Sequence, residues 1–228
     1  MATKEQNKAL AVVKWVSDKA IDGTGPLSSA HDLADEYLLD MSYPDQESRV
    51  DALINWETTK NFTSGFLSGL GGVLVLPFSL PAAFAASWLI QARMAAAIAR
   101  IYGHNLHSDR VRTFIVAALV GDSVKDIAKA SGITIARGLT KSVVDQVPGK
   151  TLIEINKRVG FRLLTKAGEK GAINLMKGVP FAGGVVGGVF DAAACRFVGR
   201  RARKLFRQSK KPRKRLKRPT RSKRGVGV

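Results

Sequence analysis

Three histidines, one cysteine and a few clustered carboxylates are the side chains of this 228-residue sequence best suited to chemistry. His104 and His107 stand three apart in "HNLH", with Asp109 close by, a spacing that could bring two imidazoles to one metal ion. The pair follows Gly103 in an expected turn, however, and neither a cysteine nor His31 lies near it in the sequence. The expectation is therefore exposed loop histidines, with no metal and no cofactor. Nucleophiles fare no better. No serine sits in a G-x-S-x-G setting, and Cys195 follows three alanines, which predicts a buried, inert thiol. "GLGG" at Gly69–Gly72 lacks the Lys-Ser/Thr that a phosphate-binding loop requires. Asp32, Asp35 and Glu36 cluster on what should be the solvated side of a short helix. No catalytic residue is assigned.

Binding chemistry is concentrated at the C-terminal end. The formal charge is +19, but it is unevenly distributed. Residues 1–195 hold 21 Lys/Arg against all 18 Asp/Glu, whereas the last 33 residues hold 16 Lys/Arg and no acid. Residues 1–60 are themselves acidic, with 6 basic and 11 acidic side chains. The candidate anion-binding residues are Arg200, Arg201, Arg203, Lys204, Arg207, Lys210, Lys211, Arg213, Lys214, Arg215, Lys217 and Arg218. Such a segment suits an anionic leaflet, at about 1 kcal/mol per cation near the surface, or nucleic acid through counterion release. It lacks Tyr and Trp, so selective single-strand recognition is poorly supported. Phe197, Val198, Leu205 and Phe206 share a face with Phe190 and Ala194, and could seat this segment among lipid headgroups. Two descriptions fit it: a basic amphipathic helix, or a last core helix running out of core.

The elements that must carry these groups read as helices throughout, because no run alternates apolar and polar residues long enough for a sheet. Thr3 with Gln6 reads as a capping box opening a helix to about Ile21, with Leu10, Val13, Val16 and Ala20 on one face. Ser29 with Asp32 forms a second capping box, before a stripe of Leu33, Tyr37 and Leu38. A third helix runs from Gln46 to about Asn61, with Val50, Leu53, Ile54 and Trp56 apolar and its acids facing water. A fourth starts at or just after Pro81 and stops at Gly103, a natural left-handed cap. Ser108 and Asp122 open two more, residues 132–150 are ambiguous, and a hinge near Gly168 and Gly171 should divide Thr151–Lys177. Beyond Gln208, dense like charge and two prolines predict disorder.

Two glycine-rich apolar runs, Gly65–Ala92 and Gly178–Cys195, invite a membrane reading. Gly65 with Gly69, Gly183 with Gly187 and Gly184 with Gly188 are spaced for close helix approach, in a bundle or in lipid. Gly71, Gly72, Pro77 and Pro81 belong to the same packing or insertion set. A spanning helix needs about 20 apolar residues. Pro77 and Pro81 cut the first run into shorter pieces, and Asp191 interrupts the second. A mean hydropathy of −0.02 is also unlike that of a polytopic membrane protein. A buried or interfacial core is the favoured expectation. The single cysteine and the lack of a signal-peptide pattern at the N-terminus fit a reducing, cytoplasmic setting.

The stretches "DLADEYL", "TSGFLSGLGGVLVLPFSLPA", "IARIYGHNL", "VGDSVKDI" and "FRLLTKAGEKGAINLMKGVPFAGGVVGG" resemble the EcsC family, bacterial proteins named after the third gene of an ABC-transporter operon. They cover roughly Ala9 to Val198. The resemblance implies a mostly helical domain and an association with transport or the cell envelope, and it brings no catalytic residues. The sequence therefore predicts an all-α chain. Residues 1–198 form a single compact bundle with glycine-rich apolar hairpins, and residues 199–228 form a basic helix end and polybasic tail. The expected function is non-enzymatic attachment at the cytoplasmic face of a bacterial membrane. Its expected partners are anionic lipid through the tail and a membrane protein. Alternatives are a soluble nucleic-acid binder using the same tail, and a lipid- or acyl-handling enzyme that would need a polar cluster inside the bundle.

Overall fold

The computed structural model describes residues 2–25, 27–62, 82–120, 129, 146–176 and 182–207. Among them are seven helices and no strand, beyond an isolated bridge between Thr24 and Leu27. The helices are α1 (Ala2–Asp22), α2 (Ala30–Leu39), α3 (Gln46–Phe62), α4 (Ala82–Ile101), α5 (Asp109–Leu119), α6 (Gly149–Met176) and α7 (Ala182–Phe206). The expected all-α bundle is the observed one.

Local chemistry sets several boundaries. At Ser29 the capping box forms as expected: the Ser29 hydroxyl accepts from the Asp32 amide at 3.0 Å, and Asp32 accepts from the Ser29 amide at 3.2 Å. The N-terminal box does not form around Thr3, because α1 is already helical at Ala2. α4 ends in a Schellman motif. Gly103 takes φ +81°, its amide bonds to Arg100 O at 2.7 Å, and the His104 amide bonds to Ala99 O at 3.0 Å. The hinge expected near Gly168 and Gly171 is absent from the backbone, since α6 runs unbroken from Gly149 to Met176. A helical glycine costs only about 1 kcal/mol relative to alanine, which a long helix absorbs. Likewise the glycine-rich run from Ala182 on and the basic residues from Arg196 to Lys204 share one element, α7, which crosses residue 198 and ends at Phe206.

α4 is the axis of the bundle, contacting α1, α2, α3, α5 and α7. From Ala85 to Ala99 every side chain except that of Ser87 is buried. The first apolar run is therefore enclosed by the protein's own helices from Ala85 through Ala92. Its earlier part, with Gly65, Gly69, Gly71, Gly72, Pro77 and Pro81, lies outside the described residues, as does the helix expected after Asp122 apart from Lys129. Gly183, Gly184, Gly187 and Gly188 lie in α7. Close approach is explicit at two glycines that pattern reasoning passed over. A Cβ on Gly160 of α6 would sit 2.2 Å from the Ala9 carbonyl oxygen of α1, and one on Gly199 of α7 would sit 2.8 Å from Ile54 Cγ1.

Polar groups cross this core in pairs. Glu57, expected to face water, is 1% exposed, while Trp56, assigned to the apolar set, is 54% exposed. The helix is rotated so that Glu57 meets Arg93 Nη2 at 3.0 Å, and Arg93 Nη1 donates to the Ser28 hydroxyl at 2.8 Å. A buried arginine thus holds α3, α4 and the α1–α2 loop together. Burial of a carboxylate requires such a partner.

Candidate functional site

The basic C-terminal segment divides by face. Inward, Cys195, Val198, Ala202, Leu205 and Phe206 are buried in the main core. Cys195 Sγ contacts Met94 Sδ at 3.8 Å, and the thiol is buried as expected. Val198, Leu205 and Phe206 are therefore not free to enter headgroups. Of that expected set only Phe197 remains outside, 48% exposed, with the Arg201 guanidinium 4.3 Å over its ring. The burial period on α7 is thus that of a core helix. The same apolar residues are needed for amphipathic surface attachment, and the sequence alone does not separate the two.

A set of bonds fixes the last turns of α7. Arg203 Nε donates to Glu47 at 3.1 Å and its Nη1 donates to Asp51. Arg207 pairs with Glu47 at 3.0 Å, and the Tyr102 hydroxyl donates to Glu47 at 2.9 Å. Desolvation and the Glu47 carboxylate both push the Tyr102 phenol upward, so it stays a donor. His104, expected on the surface, is buried, and its Nε2 lies 3.0 Å from the Phe206 carbonyl oxygen. A carbonyl only accepts, so the proton is on Nε2 and the imidazole caps the orphan C-terminal end of α7. The Schellman turn that ends α4 is what turns His104 inward.

The two histidines of "HNLH" are thus separated in role. His107 is exposed and stacks on His31, with ring centroids 5.5 Å apart. Burial first, then the Arg100 guanidinium and the neighbouring His107 ring, hold the His31 imidazole below its ordinary value. Among the described residues no group of three or more His, Cys, Asp or Glu is placed to hold a metal. Asp35, expected on a solvated face, pairs with Arg100 across α2 and α4 at 2.7 and 2.9 Å.

Outward, α7 presents Arg196, Arg200 and Lys204 at intervals of four, all exposed, and none is ion-paired among the described residues. Arg207 continues the row and is 59% exposed at its side chain. The candidate cations therefore form three sets. Arg203 and Arg207 are tied to acids, Arg200 and Lys204 are open, and Arg201 lies on Phe197. Lys210, Lys211, Arg213, Lys214, Arg215, Lys217 and Arg218 lie outside the described residues. Arg196 joins Arg200 and Lys204 through a four-residue spacing that is already visible in the sequence.

Two further grooves are found among the described residues. One, of about 540 Å³, runs between α2 and α3 and is lined by Glu36, Tyr37, Asp40, Tyr43, Asn55 and Trp56, among others. The other, of about 470 Å³, lies among α1, α5 and α6, where Lys14 and Arg112 both pair with Asp18 at 2.6 Å. Among the described residues no helix is long and apolar enough to cross a membrane.

The EcsC protein family model matches residues 4–208, from the first turn of α1 to just past the end of α7. The chain belongs to the EcsC family. Comparison with curated proteins and with solved structures gives no significant match. The EcsC match thus takes in the pinned arginines and the open cationic row of α7, and stops before Lys210.

Proposed function

We propose that this EcsC-family protein attaches peripherally to anionic lipid at the cytoplasmic face of a bacterial membrane, through the outer row of α7 and the basic residues that follow it. The observation that carries the reading is the row itself. Arg196, Arg200 and Lys204 are exposed on a helix whose opposite face is locked into the core, so the cations project from a rigid element. The exposed Phe197 ring beside them supplies an apolar contact at headgroup depth. Attachment on this reading is electrostatic, at about 1 kcal/mol per cation near the surface, and is screened by salt.

The test is flotation of full-length protein with anionic and with neutral vesicles at low and high salt. The expected result is binding to anionic vesicles alone, abolished by high salt and weakened by R196Q/R200Q/K204Q. Binding that survives high salt would replace this reading with apolar insertion. Failure to float, with retention by duplex DNA, would assign the cations to nucleic acid instead.

A further inference from the structure

The geometry points to the α2–α3 groove as an intramolecular dock for the chain's own polybasic segment, residues 208–228, which lie outside the described residues. The inference rests on the lipid reading above only for its consequence. While docked, the segment is withheld from lipid.

Charge is the first argument. Residues 30–62, which span α2 and α3, carry eight carboxylates and two cations, and residues 208–228 carry ten cations and no acid. Continuity with an observed interface is the second. The described end of the basic segment already lies on this acidic unit, through Arg203 on Glu47 and Asp51 and Arg207 on Glu47. The chain passes Arg207 at the first turn of α3, and the groove lies along another face of the same helix, at Ala52, Asn55, Trp56 and Thr59. Reach is no obstacle. Twenty-one extended residues cover about 70 Å, whereas the 17 residues of α3 are about 25 Å long.

The groove's own chemistry is the third argument. Tyr37 and Tyr43 lie with ring centroids 6.0 Å apart, Trp56 is 54% exposed, and Glu36 and Asp40 are among the lining residues. Aromatic faces beside carboxylates favour Lys and Arg side chains. Lys60 already uses this surface, with Nζ 5.2 Å from the Trp56 ring centroid. Ser42 hydrogen bonds hold the Asp40 carboxyl below its ordinary value, so it remains anionic through the neutral range.

Zero-length carbodiimide cross-linking of full-length protein, mixed from light and heavy isotope preparations and mapped by mass spectrometry, tests the dock. The expected result is cross-links from Lys210, Lys211 or Lys214 to Glu36 or Asp40 within one isotope class, reduced by W56A and lost at high salt. In E36Q/D40N the anionic-vesicle affinity should rise roughly threefold, because two weak surface pairs are released. All three substitutions are at exposed positions, so folding is not at stake. Cross-links between isotope classes would overturn the proposal in favour of a second copy. Tail cross-links that avoid residues 30–62, or an absence of tail cross-links, would overturn it outright. Same-class cross-links in a protein that binds no vesicle would leave the dock standing and remove the lipid reading.

Discussion

α4 and α7 both begin within or beside the sequence's two glycine-rich apolar runs, yet the fold uses them in opposite ways. α4 is surrounded, and its buried arginine, Arg93, is neutralised inside the protein by Glu57. α7, from Ala192 to Phe206, is buried along one side only. Arg203, and Arg207 just beyond the helix, reach acids at the margin, Arg201 lies on the Phe197 ring, and Arg196 and Arg200 stand in solvent. Cationic side chains thus take three energetic settings on two helices. A desolvated pair is costly to break, a marginal pair contributes little, and an open row adds nothing to the fold and is available to a partner.

The largest expected effect breaks the α4 side of this contrast. Glu57→Ala leaves the Arg93 charge buried without its carboxylate, and should cost about 3–5 kcal/mol in chemical denaturation. The double variant E57L/R93M should recover most of it. If E57A costs under about 1 kcal/mol, the pair is not buried in solution. Next is the inner face of α7, where Phe206→Ala removes a fully buried ring and should cost about 3–5 kcal/mol by the same measurement. Gly160→Ala follows at about 1–3 kcal/mol, because the added methyl meets the α1 backbone, which cannot rotate aside. Gly199→Ala should cost less, since its nearest neighbour is a side chain.

Smaller effects sharpen the marginal settings. Ser29→Ala should cost about 1 kcal/mol at neutral pH. Its partner Asp32 is held below its ordinary carboxyl value by the Ser29 hydrogen bonds. That contribution is complete above the unfolded value near 3.8 and is lost as pH falls through the folded value, so the gap between wild type and S29A should narrow in acid to the part carried by the Asp32 amide bond to the Ser29 hydroxyl. R196Q/R200Q/K204Q should change stability by under about 0.5 kcal/mol per site while reducing attachment to anionic vesicles. A stability loss comparable to that of Phe206→Ala would show that the outer row is structural.

Much of this was legible in the chain because it depends on neighbours in sequence. Helical class, the Ser29–Asp32 box, the Gly103 stop and the buried Cys195 follow from short-range rules of capping, backbone freedom and period. The cationic character of the C-terminal segment is composition alone. Other features were decided by contacts between residues 30 or more apart. Glu57 reads as a surface acid until Arg93, 36 residues on, arrives beside it. His104 reads as a loop histidine until Phe206, 102 residues on, offers it a carbonyl. Val198, Leu205 and Phe206 have the same spacing whether they face lipid or α4. Apolar surface is buried by whatever covers it, and which surface arrives is a property of the folded chain. The tertiary structure therefore decided which arginines of one basic helix are tied to acids and which face solvent.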